Sequence, residues 1–206
     1  MHDPRSASNS GEENTKDRLH GAALRLVARD GAGASVRAIA REAGVSEGAL
    51  YRHYKSREHL MGAVFEDLVR PMIIQKEGLL AMRAPLHDRL REWIRCTYAG
   101  FDRDPDGFAF VLLTDHALPS DIAHIKGRQS QLLTGLLSEG QNAGILRPLP
   151  IALARAMFIG LLLSVPTRVL NTELQGPASA YTDEIARAIW LALANDKHHE
   201  DMPRID

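Results

Sequence analysis

The chain has 206 residues, 45% of them hydrophobic and 25% charged, and a net charge of −1 from 25 Lys+Arg and 26 Asp+Glu. That apolar fraction with so little net charge excludes a disordered chain, and the length suits one large domain or two small ones. The one cysteine, Cys96, excludes an intrachain disulfide and a Cys-rich metal scaffold, and it fits a reduced, cytoplasmic setting.

Aromatic residues make up only 5% of the chain, and Ala, Leu, Arg and Glu recur at helical spacing with almost no β-branched alternation. The fold class expected is all-α. Residues 1–14 are rich in Ser, Asn and Gly without periodicity or an apolar block, so they read as a mobile tail and not a secretory leader. Leu19, Ala22, Ala23, Leu26 and Val27 then mark one face of a first helix, which Gly31-Ala32-Gly33 ends. Ser35 caps a short second helix carrying Ile39, Ala40 and Ala43; Gly44 breaks it, and Ser46 caps a third running through Leu50 to about Tyr54. Ser56 caps a fourth with Leu60, Ala63, Val64, Leu68 and Met72 on its buried side, kinked or ended by Pro71.

Beyond residue 80 the helices lengthen. Pro85 opens a helix carrying Leu86, Leu90, Trp93, Ile94 and Phe101. An apolar segment, Phe108 to Leu113, stops at Pro119, and a stripe from Ile122 through Leu137 ends in Ala143-Gly144. Two more helical patterns follow, Ile151 to about Leu174 and Ala178 to about Ala194, and residues 197–206 form a polar tail. The charge-free apolar stretch Ala156–Thr167 contains Pro166 and falls short of the roughly 18 to 20 residues of a spanning helix, so no membrane partner is expected.

Charge separates the two halves. Residues 15–60 hold nine basic and five acidic side chains, a surplus of four, which leaves the rest of the chain at −5. A basic helical module on an acidic helical body suits a nucleic-acid reader, although a solvated charge mosaic gives the same count. Two short capped helices joined through Gly44 have the form of a helix-turn-helix, whose second helix enters the major groove. On that helix the small Gly48 and Ala49 allow close approach to bases, and Tyr51 and Arg52 are long enough to read them. Lys55 and Arg57 can reach phosphates, while Ala49, Leu50 and Tyr54 divide between core and DNA face.

These residues resemble the tetracycline-repressor (TetR) family of one-component transcription regulators. The resemblance rests on Ser35-Val36-Arg37-Ala38-Ile39-Ala40 and on the run from Ala43-Gly44-Val45-Ser46-Glu47-Gly48-Ala49-Leu50-Tyr51-Arg52-His53-Tyr54 to Lys55-Ser56-Arg57-Glu58-His59-Leu60. It covers residues 15–65 closely; beyond them only size, helix count and the Gly144-Ile145-Leu146-Arg147-Pro148 connector match. It implies a helix-turn-helix DNA-binding domain at 15–62 and a larger helical effector-binding and dimerisation domain at 63–196. It also implies phosphate contacts from Ser35, Arg37, His53 and Arg57, base reading by Ser46, Gly48, Ala49 and Tyr51, and core roles for Val45, Leu50 and Tyr54. Glu47 departs from the pattern, since many relatives carry Lys there; a carboxylate near phosphates is repulsive unless it accepts from a cytosine or points away.

The function implied is a homodimeric repressor, not an enzyme, that binds a palindromic operator in double-stranded DNA and is released by a small, largely apolar effector. Trp93, Tyr98, Phe110, His116 and Gln129 are the candidate effector-lining residues, in a cavity between the helix from Pro85, the Phe108–Leu113 segment and the helix from Ile122. The surplus of apolar positions on the last two helices supplies the dimer candidates Leu153, Met157, Leu161, Val165, Ile185, Ile189, Trp190 and Leu193. An all-α ligand-binding or enzymatic bundle with a basic interaction module is the alternative. No cofactor or metal is expected: Gly31-x-Gly33 is followed by Val36 where a dinucleotide fingerprint needs glycine, and no Walker loop, His-Glu-x-x-His or Glu-x-x-His occurs. His198-His199-Glu200-Asp201 reads as polar tail and Cys96 as a packed helix thiol.

Overall fold

A computed structural model of the protein describes residues 5–30, 33–114 and 123–201. Its helices are α1 (Arg5–Asp30), α2 (Val36–Glu42), α3 (Glu47–His53), α4 (Arg57–Ala81), α5 (Leu86–Arg103), α6 (Pro105–Thr114), α7 (Ala123–Asn142), α8 (Ile151–Leu170) and α9 (Thr182–Leu193). Short 3-10 turns at Ala178–Tyr181 and Asp196–Asp201 complete them, and the one β interaction among the described residues is an isolated bridge between Leu146 and Ala194. The all-α class is as expected.

The chain divides into two compact units, Met1–Val69 with Asp106–His124, and Arg70–Pro105 with Ile125–Asp206. In the first, α1 buries Leu19, Ala22, Ala23, Leu26 and Val27, the face its periodicity marks. Ile39 and Ala40 of α2, Leu50 of α3 and Leu60, Met61, Val64, Phe65 and Val69 of α4 join them in the core. Three features differ from expectation. The helix α1 begins at Arg5, so residues 5–14 continue it and are not a separate tail; they contain no proline to stop propagation. The buried stripe of α4 runs through Leu60, Met61, Val64, Phe65 and Val69, a face turned from the expected one, so that Ala63, Leu68 and Met72 are half-buried at its margin. Pro71 does not end α4: it lies within the helix on an exposed position, where water can take up the carbonyl it leaves unbonded.

In the second unit α5 buries Leu86, Leu90, Trp93, Ile94, Tyr98 and Phe101 and packs on α8 and α9. Arg89, 4% exposed, ties three helices together. Its Nε donates to the Leu79 carbonyl (2.9 Å) and Nη2 to that of Leu80 (3.2 Å), closing the end of α4, while Nη1 and Nη2 grip both Glu139 oxygens on α7 (2.5 and 3.0 Å). That guanidinium holds the Glu139 carboxyl below the usual carboxylate range. Polar residues 196–201 are ordered as a 3-10 turn whose His198 carbonyl accepts from Trp190 Nε1 (2.8 Å).

The dimer candidates need correction. Val165, Ile189, Trp190 and Leu193 are 6%, 0%, 2% and 1% exposed within the single chain. The inward face of α9 is the one that repeats at Ala186, Ile189, Trp190 and Leu193, so these side chains fill the protomer's own core. Of the other candidates, Leu153 is 47% exposed, and Met157, Leu161 and Ile185 are half-buried. Ile159 and Leu191 are also exposed, at positions the sequence reading passed over.

Candidate nucleic-acid interface

The turn is built by its caps. Ser35 Oγ accepts from Ala38 N–H (3.2 Å) at the start of α2, Ser46 Oγ from Ala49 N–H (3.1 Å) at α3, and Ser56 Oγ from His59 N–H (3.2 Å) at α4. Gly44, at φ +65°, closes α2: its N–H donates to the Arg41 carbonyl (3.0 Å) and that of Val45 to the Ala40 carbonyl (2.9 Å). The positive φ is what calls for glycine there, and the Arg18 side chain would in addition have to shift to admit a Cβ. The left-handed backbone disfavours other residues, and a Cβ would stand 2.7 Å from Arg18 Nη2, which donates to the Gly44 carbonyl at 2.9 Å.

Helix α3 divides cleanly. Leu50 and Tyr54 point into the core at 0% and 8% exposure, whereas Tyr51 is 51% exposed and Ser46, Gly48, Arg52 and Lys55 are exposed beside it. Ala49, His53 and Val45 lie half-buried at the margin. Gly48 has no internal reason to be glycine: a Cβ there would meet only Ser46 Oγ, at an ordinary 3.9 Å. Ser35 and Arg37 are exposed on α2. The Arg37 side chain is 87% accessible, and its Nε lies 3.9 Å from Glu47 Oε1, so the unexpected carboxylate stands opposite an arginine. Arg57 is half-buried and donates from Nε to the Ala34 carbonyl (2.6 Å), clamping the start of α4 to the turn before α2.

The sequence reading missed what seats Tyr54. Its hydroxyl lies 2.7 Å from His20 Nε2, and His20 Nδ1 lies 3.1 Å from Asp67 Oδ2. Burial outweighs Asp67 and lowers the His20 pKa from 6.5, so the ring is neutral. A carboxylate only accepts, so Nδ1 carries the proton and Nε2 accepts from Tyr54. Burial also pushes the Tyr54 hydroxyl up to about 12, keeping it a donor. A histidine on an apolar α1 face and a hydroxyl on a core aromatic were the available signals.

The effector candidates separate. Trp93, Tyr98 and Gln129 belong to the second unit, Phe110 to the first, and His116 lies outside the described residues. Phe110 is fully buried. Tyr98 is a core residue whose hydroxyl donates to the Leu162 carbonyl (2.9 Å). Trp93 meets Phe158 edge-on at 6.3 Å and carries the Lys76 ammonium 4.7 Å from its ring centroid. Gln129 Nε2 is buried and has no hydrogen-bond partner among the described residues. Lys76 was not singled out by the sequence; it is 4% exposed.

Residues 20–64 match the model of the bacterial regulatory proteins of the tetR family. The chain is 31% identical over 110 residues to an uncharacterized HTH-type transcriptional regulator, YerO, of Bacillus subtilis, spanning 52% of this chain and 37% of that protein. The chain thus covers about a third of the length of that relative. Its fold is similar to that of a TetR family transcription regulator from Marinobacter aquaeolei (TM-score 0.76, 22% identity, 91% of this chain and 99% of that one). It is also similar to the transcriptional regulator FadR from Bacillus subtilis in complex with stearoyl-CoA (TM-score 0.70, 23% identity, 84% and 96%). Residues 20–64 thus carry the helix-turn-helix module of the tetR family of bacterial regulatory proteins, and the all-helical fold of the chain is similar to that of TetR family regulators.

Proposed function

We propose that the chain is a homodimeric, ligand-responsive transcriptional repressor of the cytoplasm. It grips a palindromic operator with α3 and releases it when a small, largely apolar effector occupies the second unit. The carrying observation is the division of α3: Leu50 and Tyr54 anchor it, and its outward face offers Gly48, Tyr51, Arg52 and Lys55. Glycine costs up to about 1 kcal/mol relative to alanine in the middle of a helix and less in the first turn, where Gly48 lies. Nothing in this chain recovers that cost at Gly48, whereas a helix that must approach base edges closely gains from it. Ser35, Arg37, Ser46, Ala49 and His53 flank this face, where phosphates and bases would lie.

The dimer reading is supported by Leu153, Ile159 and Leu191, large apolar side chains left exposed on α8 and α9. The effector reading is supported by the stearoyl-CoA bound to the FadR neighbour. Coupling would run through α4, which the recognition module and the effector unit share. An effector that binds better to the wrong spacing of recognition helices shifts the population away from the DNA-competent form. Reciprocity supplies the test: a ligand found by melting-temperature screening is titrated into the free protein and into its operator complex. Its affinity falls in the complex by the same factor by which it weakens operator binding. Equal affinities in both would refute the effector part.

A further inference from the structure

Lys76 on α4 is buried to 4% exposure; among the described residues no carboxylate forms an ion pair with its ammonium, which faces the Trp93 ring and lies within electrostatic reach of the Cys96 thiol. The carboxylates on neighbouring turns are engaged elsewhere. Glu77 accepts from Arg128 (2.6 Å), and Glu92 from Arg95 (2.6 Å) and from the Cys96 thiol (3.3 Å). The Trp93 face covers one side of the cation, but a ring cannot satisfy three N–H donors. A buried cation without an anion is among the costliest groups a fold can hold. A chain selected for packing alone would place an apolar side chain there.

On α7 the buried Gln129 Nε2 has no hydrogen-bond partner among the described residues. The Glu77–Arg128 ion pair binds α4 to α7 at the residues next to Lys76 and Gln129. Trp93 and, edge-on to it, Phe158 add an aromatic wall from α5 and α8.

We propose that Lys76 and Gln129 form the polar end of the effector site, and that the effector is an amphipathic carboxylate. Its oxygens accept from the Lys76 ammonium and the Gln129 amide, and its apolar remainder lies against Trp93 and Phe158. The proposal rests on reading the second unit as the effector unit, and it adds the charge and head group of the ligand.

The test uses the full chain at pH 7 and isothermal titration with six- to ten-carbon alkyl and phenylalkyl carboxylates, each paired with its primary amide. At least one carboxylate binds about tenfold or more tightly than its amide. Lys76→Met abolishes that preference, Lys76→Arg keeps it, and Gln129→Leu reduces it. Absence of any carboxylate preference, or its survival in folded Lys76→Met, would overturn the proposal; should Lys76→Met not fold, an undiminished preference in Gln129→Leu would do so. Operator binding is measured on the same preparations. Its absence beside an intact carboxylate preference refutes the repressor reading alone, and the converse refutes the carboxylate site alone.

Discussion

At the scale of single residues, burial favours the neutral form of two titratable groups, one already neutral at pH 7 and one still charged. His20 is held neutral, so its contribution to stability is full above pH 6.5 and is lost as pH falls through its lowered folded-state value. His20→Gln, which does not titrate, should blunt the loss of unfolding free energy measured between pH 7 and pH 5. Tyr54→Phe leaves His20 Nε2 without its donor and should cost about 1 kcal/mol in denaturant unfolding. Burial brings Lys76 from 10.5 down to about 8. The folded state therefore binds fewer protons between those values, and stability rises with pH across them. Below that window the depressed value corresponds to a cost of about 3 kcal/mol. The Trp93 contact offsets about 1 kcal/mol of it. Lys76→Met should then be about 2 kcal/mol more stable at pH 7 and lack the alkaline rise. An unchanged alkaline rise would place its origin elsewhere.

At the scale of elements, Gly44 and Gly48 are the same residue type kept for different reasons, and two substitutions separate them. Gly44→Ala meets a left-handed backbone and the Arg18 guanidinium, and should destabilise by more than about 1 kcal/mol. Gly48→Leu meets only an ordinary contact with Ser46 Oγ on an exposed helix and should leave stability unchanged or raise it by up to about 0.5 kcal/mol while weakening DNA binding. The elements themselves were legible because their signals are local. Ser35, Ser46 and Ser56 cap where a short polar side chain precedes a helical run, and Gly44 and Gly144 take the positive φ that ends one. What lies between elements was not legible. The orientation of α4 depends on which of several apolar side chains find partners. The contacts His20–Asp67 and Arg89–Glu139 join residues 47 and 50 positions apart with no spacing to announce them. The same blindness sent Ile189, Trp190 and Leu193 to a dimer interface: a stripe at helical period says that a face is covered, not by what.

At the scale of the whole molecule, α8 carries the argument for self-association. It has a mean hydropathy of 1.5, enough by length and composition to cross a membrane, yet only 28% of it is buried in the single chain. A second copy covering Leu153 and Ile159 would remove that surface from water. Ile159→Glu should shift light scattering from a dimer toward the 22.7 kDa protomer at micromolar concentration, and an unaffected dimer would move the interface to another face. The central claim, that α3 reads DNA, is tested most directly by fluorescence anisotropy of the wild type and Gly48→Leu on duplexes tiling the region upstream of the gene. If α3 reads DNA, affinity falls steeply and linearly on a log–log plot against salt, with a slope set by the number of phosphates contacted. Gly48→Leu then loses about tenfold or more in affinity while melting no lower than the wild type. No salt-sensitive binding to any upstream duplex, or a Gly48→Leu variant that binds as tightly as the wild type, would contradict that claim.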